Sequence, residues 1–473
     1  MSDYNSVHPV PKNYLLDIST LLYSPYAIHA FDDNNVIVPL CCIKELDRAI
    51  SERTGDIRAN AKECSRLLAA LTECGGNLSK GVRLENNGTL RIIGDAEQDI
   101  YRVALEHKQE NYIIVSRNPN VRIIANQKGI RAEDYKSEQA SSDEDSYLGR
   151  CTIYVSKEEL ETFKEKSALK LDGRTNYTKT RPAGTVLPDS YKLTTNEFVI
   201  LNGSTGGGTM LGRYNGKEIV PLRYMNQKND VPVFGVKPRN VGQIFALEAL
   251  LAPPDEAPLV ILKGPAGTAK TFLTMAAALD RTYNNRYDDN LYRKILITRP
   301  NTKMDEDVGF LKGDEVSKVL PALRGLTDNI DNLLTTKPSR GARFTHGDDS
   351  QPESAVEELM ARGVIDAQAM AYMRGRSICN QFVIVDEVQN ATVTQVLSMI
   401  TRIGENSKIV ILGDPDQIDH PYLDRRNNGL SYAAEHMRGS KSCWQITFDE
   451  SECTRSELAS EAIARLTPKG AQF

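Results

Sequence analysis

Residues 259–271 read LVILKGPAGTAKT, an apolar run followed by small residues and a Lys-Thr pair, and the apolar pattern FLTMAAAL follows directly. This order predicts a strand, a loop and a helix. A loop of this kind binds a triphosphate through backbone N–H groups and a helix N-terminus, with an ammonium group on the outer phosphates and a hydroxyl on Mg²⁺. The stretch therefore predicts a site for ATP and Mg²⁺.

One position of this loop departs from the usual pattern, G-x-x-x-x-G-K-[ST]. The residue before Lys270 is Ala269 rather than glycine, and whether alanine fits depends on its φ angle. A plain glycine-rich turn between a buried strand and a helix is the alternative interpretation. The candidate nucleotide-binding residues are Gly264, Pro265, Ala266, Gly267, Thr268, Ala269, Lys270 and Thr271, and the last of them is also a candidate Mg²⁺ ligand.

A second motif makes the plain-turn interpretation much weaker. Residues 381–390 read QFVIVDEVQN, an apolar strand that ends in two adjacent carboxylates. In this form Asp386 holds the Mg²⁺ shell, and Glu387 positions or deprotonates the attacking water. Apolar strands ending in Asp-Glu are common by chance, but the two motifs together and in this order favour nucleotide hydrolysis.

Length and composition indicate a globular protein of more than one domain. The chain has 473 residues, 40% of them hydrophobic and 26% charged, so two or three domains are expected. The formal net charge of −5 gives no overall basic field, so contacts with nucleic acid must come from local patches or an inner channel. This excludes a chromatin-like coat but not an RNA enzyme.

The cysteines and histidines show no metal-binding spacing. The eight cysteines include no C-x-x-C pair, and the six histidines form no cluster, so reduced buried thiols are expected and a structural zinc site is not. Cys41 and Cys42 fall in an apolar, strand-like run, which would turn their side chains to opposite faces. The first residues lack a signal-peptide pattern and no apolar run is long enough to span a bilayer, so a cytoplasmic protein without membrane contact is expected.

Strand-like and helical patterns alternate through the first 135 residues, which predicts a parallel sheet with helices on both faces. The carboxyl ends of such strands meet at one edge, so Asp17, Glu45 and the acids of the turn GDAEQD, residues 94–99, can converge. Clustered carboxylates favour a cation, and two-metal phosphodiester hydrolysis uses this arrangement. The alternative is that these acids are helix N-caps or solvated turn residues.

Three segments of this region resemble a PIN domain, a metal-dependent ribonuclease fold, of the kind fused to PhoH-type ATPases. They are YLLDISTLLYSPYAIHAF (14–31), VIVPLCCIKELDR (36–48) and YIIVSRNPNVRIIANQKGIRAEDY (112–135). The resemblance implies that Asp17 and Glu45 are the first two ligands of Mg²⁺ or Mn²⁺, and that Glu97 is the third, with Asp99 as the near alternative. The fourth family acid is replaced by Asn118, whose amide ligates a metal only weakly.

The middle of the chain predicts a linker and a small antiparallel β module at residues 137–230. KSEQASSDEDSY is polar and acidic, KEELETFKEK reads as a helix, and EFVIL, GTMLGRY and EIVPLRY read as short strands separated by glycine-rich turns. The module is interpreted as an RNA contact, and a mere spacer is the alternative. Arg213, Lys217 and Arg223 supply its positive charge.

From about residue 230 to 470 the order of parts resembles the PhoH family, P-loop ATPases related to the superfamily 1 helicases. FGVKPRNVGQIFALEAL (234–250) precedes the phosphate loop, the strand at 408–412 runs into GDPDQID, and RSELA (455–459) opens the last helix. The resemblance implies three parts: a PIN-like α/β domain at 1–136, the linker and β module at 137–230, and a P-loop, RecA-like α/β ATPase domain at 231–473.

This resemblance also implies roles for individual residues. Gln243 would read adenine, since one glutamine amide can bond both N6 and N7. Lys270, Thr271 and Asp386 would bind phosphate and Mg²⁺, with Glu387 as the base. Gln417 would sense the γ-phosphate, and Arg299 would couple the nucleotide to the neighbouring segment.

Three further arginines have two interpretations each. Arg374 and Arg376 suit phosphate or the RNA backbone, and surface solubility or ion pairing is the alternative. Arg455 is interpreted as a finger that reaches the γ-phosphate of a neighbouring subunit, which predicts a closed homo-oligomer, a hexamer. A monomer in which Arg455 serves its own site is the alternative.

Together these patterns predict an ATP-dependent RNA helicase or translocase coupled to a metal-dependent ribonuclease. ATP and Mg²⁺ would act at the C-terminal site, Mg²⁺ or Mn²⁺ at the PIN site, and single-stranded or partly duplex RNA would be the partner. One alternative keeps the ATPase but treats the PIN domain as an RNA-binding platform that does not cleave. A second is a nucleotide-gated scaffold that moves no strand.

Overall fold

The computed structural model of this chain describes residues 11–31, 33–53, 55–73, 76–84, 87–135, 147–171, 177–182, 184–203, 208–225, 232–283, 291–300, 324–335, 355–373, 375–420, 423–454 and 461. One compact unit holds the described residues up to 135, and a second holds nearly all of those from 147 onward. The division into three domains at 136 and 230 stays a prediction. Within the described part of the chain, no helix combines the length and apolar character needed to cross a membrane.

The first unit is a parallel α/β sheet with helices, as predicted. Its strands are β1 (Asn13–Leu16), β2 (Asn35–Pro39), β3 (Val82–Arg83), β4 (Thr89–Ile93), β5 (Ile113–Val115) and β6 (Arg131–Glu133). Its helices are α1 (Ile18–Tyr23), α2 (Leu40–Glu52), α3 (Gly55–Glu73), α4 (Ile100–Glu106) and α5 (Pro119–Gln127), with short 3₁₀ helices at Pro25–His29 and Lys108–Glu110. The strand order is β3-β4-β2-β1-β5-β6, and only the β3–β4 pair is antiparallel.

One local prediction in this unit is wrong. Cys41 and Cys42 lie in the first turn of α2 rather than in a strand, because β2 ends at Pro39 and the chain turns directly into the helix. Both thiols are free and buried, as expected. Their side chains are therefore separated by one helical step, and both line the cavity described below.

The second unit begins with the β module, which we define as residues 147–225. It contains β7 (Arg150–Val155), α6 (Lys157–Lys166), β8 (Lys179–Thr180), β9 (Phe198–Gly203), β10 (Thr209–Tyr214) and β11 (Ile219–Pro221), in the sheet order β11-β10-β9-β7-β8. The antiparallel pairing of β9, β10 and β11 is confirmed. The β7–β9 pair is parallel, because the chain between them includes α6 and returns β9 in the same direction.

The rest of the second unit is a parallel sheet of six strands. These are β12 (Leu259–Lys263), β13 (Lys294–Thr298), β14 (Ile365–Ala367), β15 (Gln381–Val385), β16 (Lys408–Gly413) and β17 (Cys443–Thr447), in the order β14-β13-β15-β16-β12-β17. The helices are α7 (Val241–Leu251), α8 (Lys270–Thr282), α9 (Arg324–Thr335), α10 (Ala355–Ala361), α11 (Val393–Ile400) and α12 (Gly429–His436), with 3₁₀ helices at Met370–Met373, Val388–Asn390 and Glu450–Glu452. The central strands are buried on both faces, which explains their continuous apolar runs.

The β module packs directly on this sheet. The ring of Phe198 stacks on Phe245 of α7 with centroids 4.8 Å apart, and the Arg213 guanidinium lies 4.0 Å from the centroid of the Trp444 ring on β17. Arg213 also donates to Asn196, and Arg223 pairs with Glu256 at 2.6 Å. Two of the three cations considered for RNA contact therefore bind protein groups, while Lys217 is exposed.

Candidate functional site

The phosphate loop connects β12 to α8 at the carboxyl edge of the parallel sheet. Gly264, the first residue after β12, has φ 144°, and a Cβ atom there would lie 2.8–3.0 Å from atoms of Phe448. Only glycine allows this approach, since any side chain would collide with the neighbouring backbone. The predicted strand, loop and helix are therefore present, and Lys270 is the first residue of the helix.

Ala269 occupies a left-handed conformation, with φ 67° and ψ 22°. The glycine usually found at this position would adopt it freely, whereas alanine brings its Cβ close to the following carbonyl oxygen at a cost of about 1–2 kcal/mol. The chain thus accommodates alanine with local strain at the N-terminus of α8.

Replacing Ala269 with glycine is expected to raise the free energy of unfolding by about 1 kcal/mol, because the strain of the left-handed alanine disappears. Chemical denaturation followed by circular dichroism measures this change. The matched control is Ala276→Gly in the interior of α8, which should lower stability by at least about 0.5–1 kcal/mol. A loss of stability in both variants would contradict the strained conformation of Ala269.

The Lys270 ammonium lies inside the loop. Its Nζ donates to the carbonyl oxygens of Gly264 at 2.7 Å and Pro265 at 2.8 Å. Burial lowers the pKa of Lys270, and the carboxylates of Asp414, Asp386 and Glu387 act in the opposite direction. The ammonium is therefore surrounded by negative groups and can neutralise the charge of a bound phosphate.

Thr271 and Asp386 meet beside the loop. Thr271 Oγ1 is 3.5 Å from Asp386 Oδ1, and the backbone N–H of Asp386 donates to Thr298 on the next strand. Burial, and next the charge of Glu387, raise the pKa of Asp386 to about 6. The Thr271 hydroxyl and the buried Asp386 carboxylate, with the charge of Glu387 beside it, fit Mg²⁺. This ion binds one or two carboxylates and keeps several waters. When bound, Mg²⁺ would neutralise charge on the phosphates.

Glu387 is held by a residue that sequence reasoning missed. Gln389 is fully buried, and its Nε2 donates to the Glu387 carboxylate and to the carbonyl oxygen of Gln417 at 2.8 Å. Its Oε1 accepts from the backbone N–H of Asp414 at 3.1 Å. One amide thus joins the candidate base to the segment that carries Gln417. Glu387 also lies 3.7 Å from Arg299.

Asp414 was also missed by the sequence reasoning. Its Oδ2 accepts from the backbone N–H of Ala266 at 2.9 Å, so this carboxylate contacts the phosphate loop directly. One feature of the sequence could have indicated Asp414: it directly follows β16 and therefore lies at the same sheet edge as Asp386.

Gln243 lies in the first turn of α7, next to the loop. Its Oε1 accepts from the backbone N–H of Arg239 at 2.8 Å, and its Nε2 donates to the Thr268 carbonyl at 3.4 Å. The amide is 2% exposed, so both of its ends contact protein backbone in this arrangement. The adenine-reading role stays a prediction.

Arg374 and Arg455 lie outside the described residues, and Arg376 is exposed.

The first unit contains a cavity of 720 Å³ at the carboxyl edge of its sheet. The candidate metal-site residues that line it are Asp17, Glu45, Glu97, Asp99 and Asn118. The structure therefore brings together side chains that are up to about 100 positions apart in the chain.

Four of these five residues differ in what they contact. Asp17 accepts from Ser19 and from Ser116 Oγ at 2.7 Å, and Asp99 caps α4 by accepting from Arg102 N–H. Asn118 caps α5, and Glu97, whose side chain is 81% exposed, pairs with Lys44. The N-cap interpretation of the acids is therefore correct for Asp17 and Asp99, and Asn118 is a further N-cap. The position of these residues in the cavity leaves a second role open.

The cavity carries excess negative charge. Burial, followed by the charge of Asp17, raises the pKa of Glu45, and the pKa of Tyr101 is raised by burial and by Asp17 and Asp99. Among the described residues, no group of three or more His, Cys, Asp or Glu side chains is close enough to hold a metal ion. A hydrated Mg²⁺ held by one or two carboxylates fits this arrangement, and it would supply an activated water.

Comparisons with known proteins match both units of the chain to families. Residues 14–136 match the PIN domain family, and residues 235–467 match the family of PhoH-like proteins. PhoH domains are P-loop ATPases, and PIN domains are usually nucleases.

Relatives match over most of the chain. Protein PhoH2 of Bacillus subtilis (strain 168) is 32% identical, with 90% of this chain and 94% of that protein covered. Protein PhoH2 of Thermobispora bispora is 27% identical, covering 95% of each, and a PhoH-like protein of Bacillus subtilis is 37% identical over 43% of this chain and 57% of its own length. The chain belongs to the PhoH2 family, in which a PIN domain precedes a PhoH-type P-loop ATPase domain.

Proposed function

We propose that this protein is an ATP-driven RNA-remodelling enzyme whose PIN domain cuts RNA with Mg²⁺ or Mn²⁺. The observation that carries the proposal is the presence in one chain of two acidic sites suited to phosphate chemistry. One is the cavity lined by Asp17 and Glu45, and the other is the pair Asp386 and Glu387 beside the phosphate loop.

At the ATP site the chain's own groups would have separate tasks. Lys270 would balance charge on the outer phosphates, and Thr271 and Asp386 would hold the Mg²⁺ shell. Glu387, held by Gln389, orients or deprotonates the attacking water. The same Gln389 Nε2 also donates to the backbone carbonyl of Gln417, which places Gln417 near Glu387 and supports its role in sensing the γ-phosphate.

At the PIN site, Asp17 and Glu45 are the proposed metal ligands. The two hydroxyl donors of Ser19 and Ser116 fix the orientation of Asp17. Asp99 and Glu97 line the same cavity, and either can complete the site through a bound water. Single-stranded RNA is the proposed substrate.

A labelled single-stranded RNA incubated with and without ATP, and with Mg²⁺ or Mn²⁺, tests the whole proposal. Cleavage that needs the divalent ion, and ATP hydrolysis that RNA stimulates, are the expected results. Hydrolysis of ATP without any response to RNA would contradict remodelling and favour a nucleotide-gated scaffold.

A second candidate function is an ATPase with a PIN domain that binds RNA but does not cut it. Two observations favour it: Asn118 stands where the family has an acid, and the described carboxylates form no group of three around one point. Retention of RNA without cleavage at any tested divalent ion would support this function.

Replacing Glu387 with glutamine is expected to leave ATP binding within about twofold and to lower kcat by about 10²–10⁴-fold, because the amide cannot accept a proton. Glutamine keeps an oxygen that can accept from Gln389, so the local fold is retained. Equilibrium binding of a fluorescent ATP analogue and a phosphate-release assay measure the two effects. Glu405→Gln, at an exposed position before β16, is the control. Normal turnover in Glu387→Gln would remove Glu387 as the base.

We further propose that the protein assembles as a homohexamer in which Arg455 reaches the γ-phosphate of the neighbouring subunit. Support comes from the family relationship, in which the PhoH domain is a P-loop ATPase that such a finger would complete. A ring would also let an acidic protein turn its arginines towards RNA in a central channel. The mass of the assembly in solution tests this proposal.

A further inference from the structure

The outer side of the phosphate loop is covered by the segment Thr447–Thr454, which we name the loop-backing segment. Phe448 N–H donates to the Lys263 carbonyl at 2.7 Å, and Thr454 N–H donates to the Gly267 carbonyl at 2.9 Å. Cys453 Sγ donates to the Ala266 carbonyl at 3.4 Å. The last residue of β12 and two consecutive residues of the loop therefore bond to this one segment.

These contacts set the direction of the loop's amide groups. In a planar trans peptide the C=O of one residue and the N–H of the next point in opposite directions. Because the carbonyls of Ala266 and Gly267 point to the loop-backing segment, the N–H groups of Gly267 and Thr268 point away from it. N–H groups that converge from such a loop are the ones that bind phosphate oxygens.

The loop-backing segment is itself held at Glu452. One carboxylate oxygen accepts from Gly242 N–H, in the first turn of α7, at 2.9 Å, and the other accepts from Asp449 N–H at 3.0 Å. Asn240 Nδ2 also donates to the Glu452 carbonyl at 3.2 Å. A carboxylate at a helix N-terminus is favoured by the helix dipole.

Arg150, the first residue of β7 in the β module, completes this arrangement. Its Nη1 donates to Glu452 Oε1 at 2.8 Å, its Nη2 donates to Oε2, and its Nε donates to the Thr447 carbonyl at 3.1 Å. The Arg150 side chain is 2% exposed and that of Glu452 is 12% exposed. The guanidinium therefore bonds the loop-backing segment at its first residue and at Glu452. Both side chains are largely shielded from solvent, and a bidentate pair in such a place is strong and directional.

Gly149, the residue before Arg150, allows two segments of the chain to approach each other closely. Gly149 has φ 74°, and a Cβ atom there would lie 1.9 Å from the carbonyl oxygen of Gln445. Leu148 also accepts from Thr447 N–H at 2.9 Å. The β module is thus joined to the end of β17 by backbone as well as by the arginine.

We propose that Arg150 is a positioning residue for ATP binding: through Glu452 and the loop-backing segment it fixes the orientation of the phosphate-loop amides. The β module is then part of the nucleotide site rather than a spacer. This inference rests on ATP binding at the loop but not on RNA remodelling or RNA cleavage, so its test contains no RNA.

The experiment compares ATP hydrolysis and ATP-analogue binding by the full chain carrying Arg150→Met, Arg150→Lys or Glu452→Gln. Hydrogen bonds to charged groups such as phosphate are stronger than neutral ones, so Arg150→Met, which would release the phosphate-loop amides from their orientation, is expected to raise KM and Kd for the nucleotide by about 10–100-fold. The reduction of kcat should be smaller, at about threefold or less, since Glu387 and Asp386 keep their contacts. Arg150→Lys and Glu452→Gln should fall between this variant and the unmodified protein.

The matched control is Glu256→Gln. Glu256 accepts from Arg223 of the same β module, but at a position away from the phosphate loop. Thermal unfolding of every variant separates loss of fold from loss of affinity, and if Arg150→Met does not fold, Arg150→Lys and Glu452→Gln decide. Unchanged KM in the folded variants, or an equal rise in Glu256→Gln, would overturn the proposal.

Discussion

Replacement of Lys270 with alanine is expected to lower the rate of ATP hydrolysis by about 10³-fold or more, because removal of a single group that stabilises developing charge already costs about 10²–10³ in rate. The Lys270 ammonium lies among Asp386, Glu387 and Asp414, so without it three carboxylates would face the phosphates with no cation of the loop between them. A steady-state phosphate-release assay measures the effect.

The matched control for this change is Lys294→Ala. Lys294 begins β13 of the same sheet, is half-buried and pairs with Asp366 at 2.7 Å. Its removal should leave hydrolysis within about twofold, since surface and half-exposed pairs contribute about 1 kcal/mol or less to stability. Hydrolysis at the normal rate in Lys270→Ala would show that residues 264–271 are not the ATP site.

The second large effect is expected at the PIN site. Asp17→Asn should lower RNA cleavage by about 100-fold or more. Mutation of residues that only hydrogen-bond to metal ligands already lowers metal affinity or activity by about 10–100-fold. ATP hydrolysis should stay nearly unchanged, because Asp17 and the phosphate loop belong to separate compact units. Asparagine retains an oxygen that can accept from Ser19 and Ser116, so α1 keeps its cap. Gel analysis of a labelled RNA in Mn²⁺ measures the effect.

Glu52→Gln is the control at this cavity. Glu52 lines the same cavity but pairs with Arg48 on the preceding turn of α2, so its neutralisation should leave cleavage within about twofold. Restoration of the family acid by Asn118→Asp should raise cleavage, and aspartate caps α5 as well as asparagine does. Equal cleavage by Asp17→Asn and the unmodified protein would place the metal elsewhere. No cleavage by either the native protein or Asn118→Asp, with any divalent ion, would favour the non-cleaving PIN domain.

Both sites lie at the carboxyl edge of a parallel sheet, and this placement follows from the pattern of the sequence. Apolar runs that alternate with helical patterns specify a parallel sheet. The carboxyl ends of its strands then lie at one edge, even when many residues separate the strands in the chain. Asp17, Glu45 and Asp99 reach one cavity for this reason, and so do Thr271 and Asp386 at the second sheet. The fold class and the family were thus predictable from local patterns.

The backbone conformation of Ala269 could not be predicted from the sequence. The sequence shows alanine where glycine is usual, but the left-handed φ of 67° depends on how β12 and α8 are joined. The same limit applies to Glu97: the resemblance to PIN domains implied a metal ligand, whereas the pairing of Glu97 with Lys44 depends on the position of α2. A local pattern states which backbone is favourable, and packing decides which one is adopted.

The sequence by itself determined the strands, the phosphate loop, the acidic strand ends and the order of the PIN and PhoH parts, because each of these is set by residues within a few positions of one another. Only the tertiary structure decided the contacts of Gln389 with Glu387 and Gln417, and those of Arg150 with Glu452, which are 302 positions apart. Such pairs leave no periodic signal, since a buried polar side chain is specified by the partners that satisfy it and not by its neighbours in the chain.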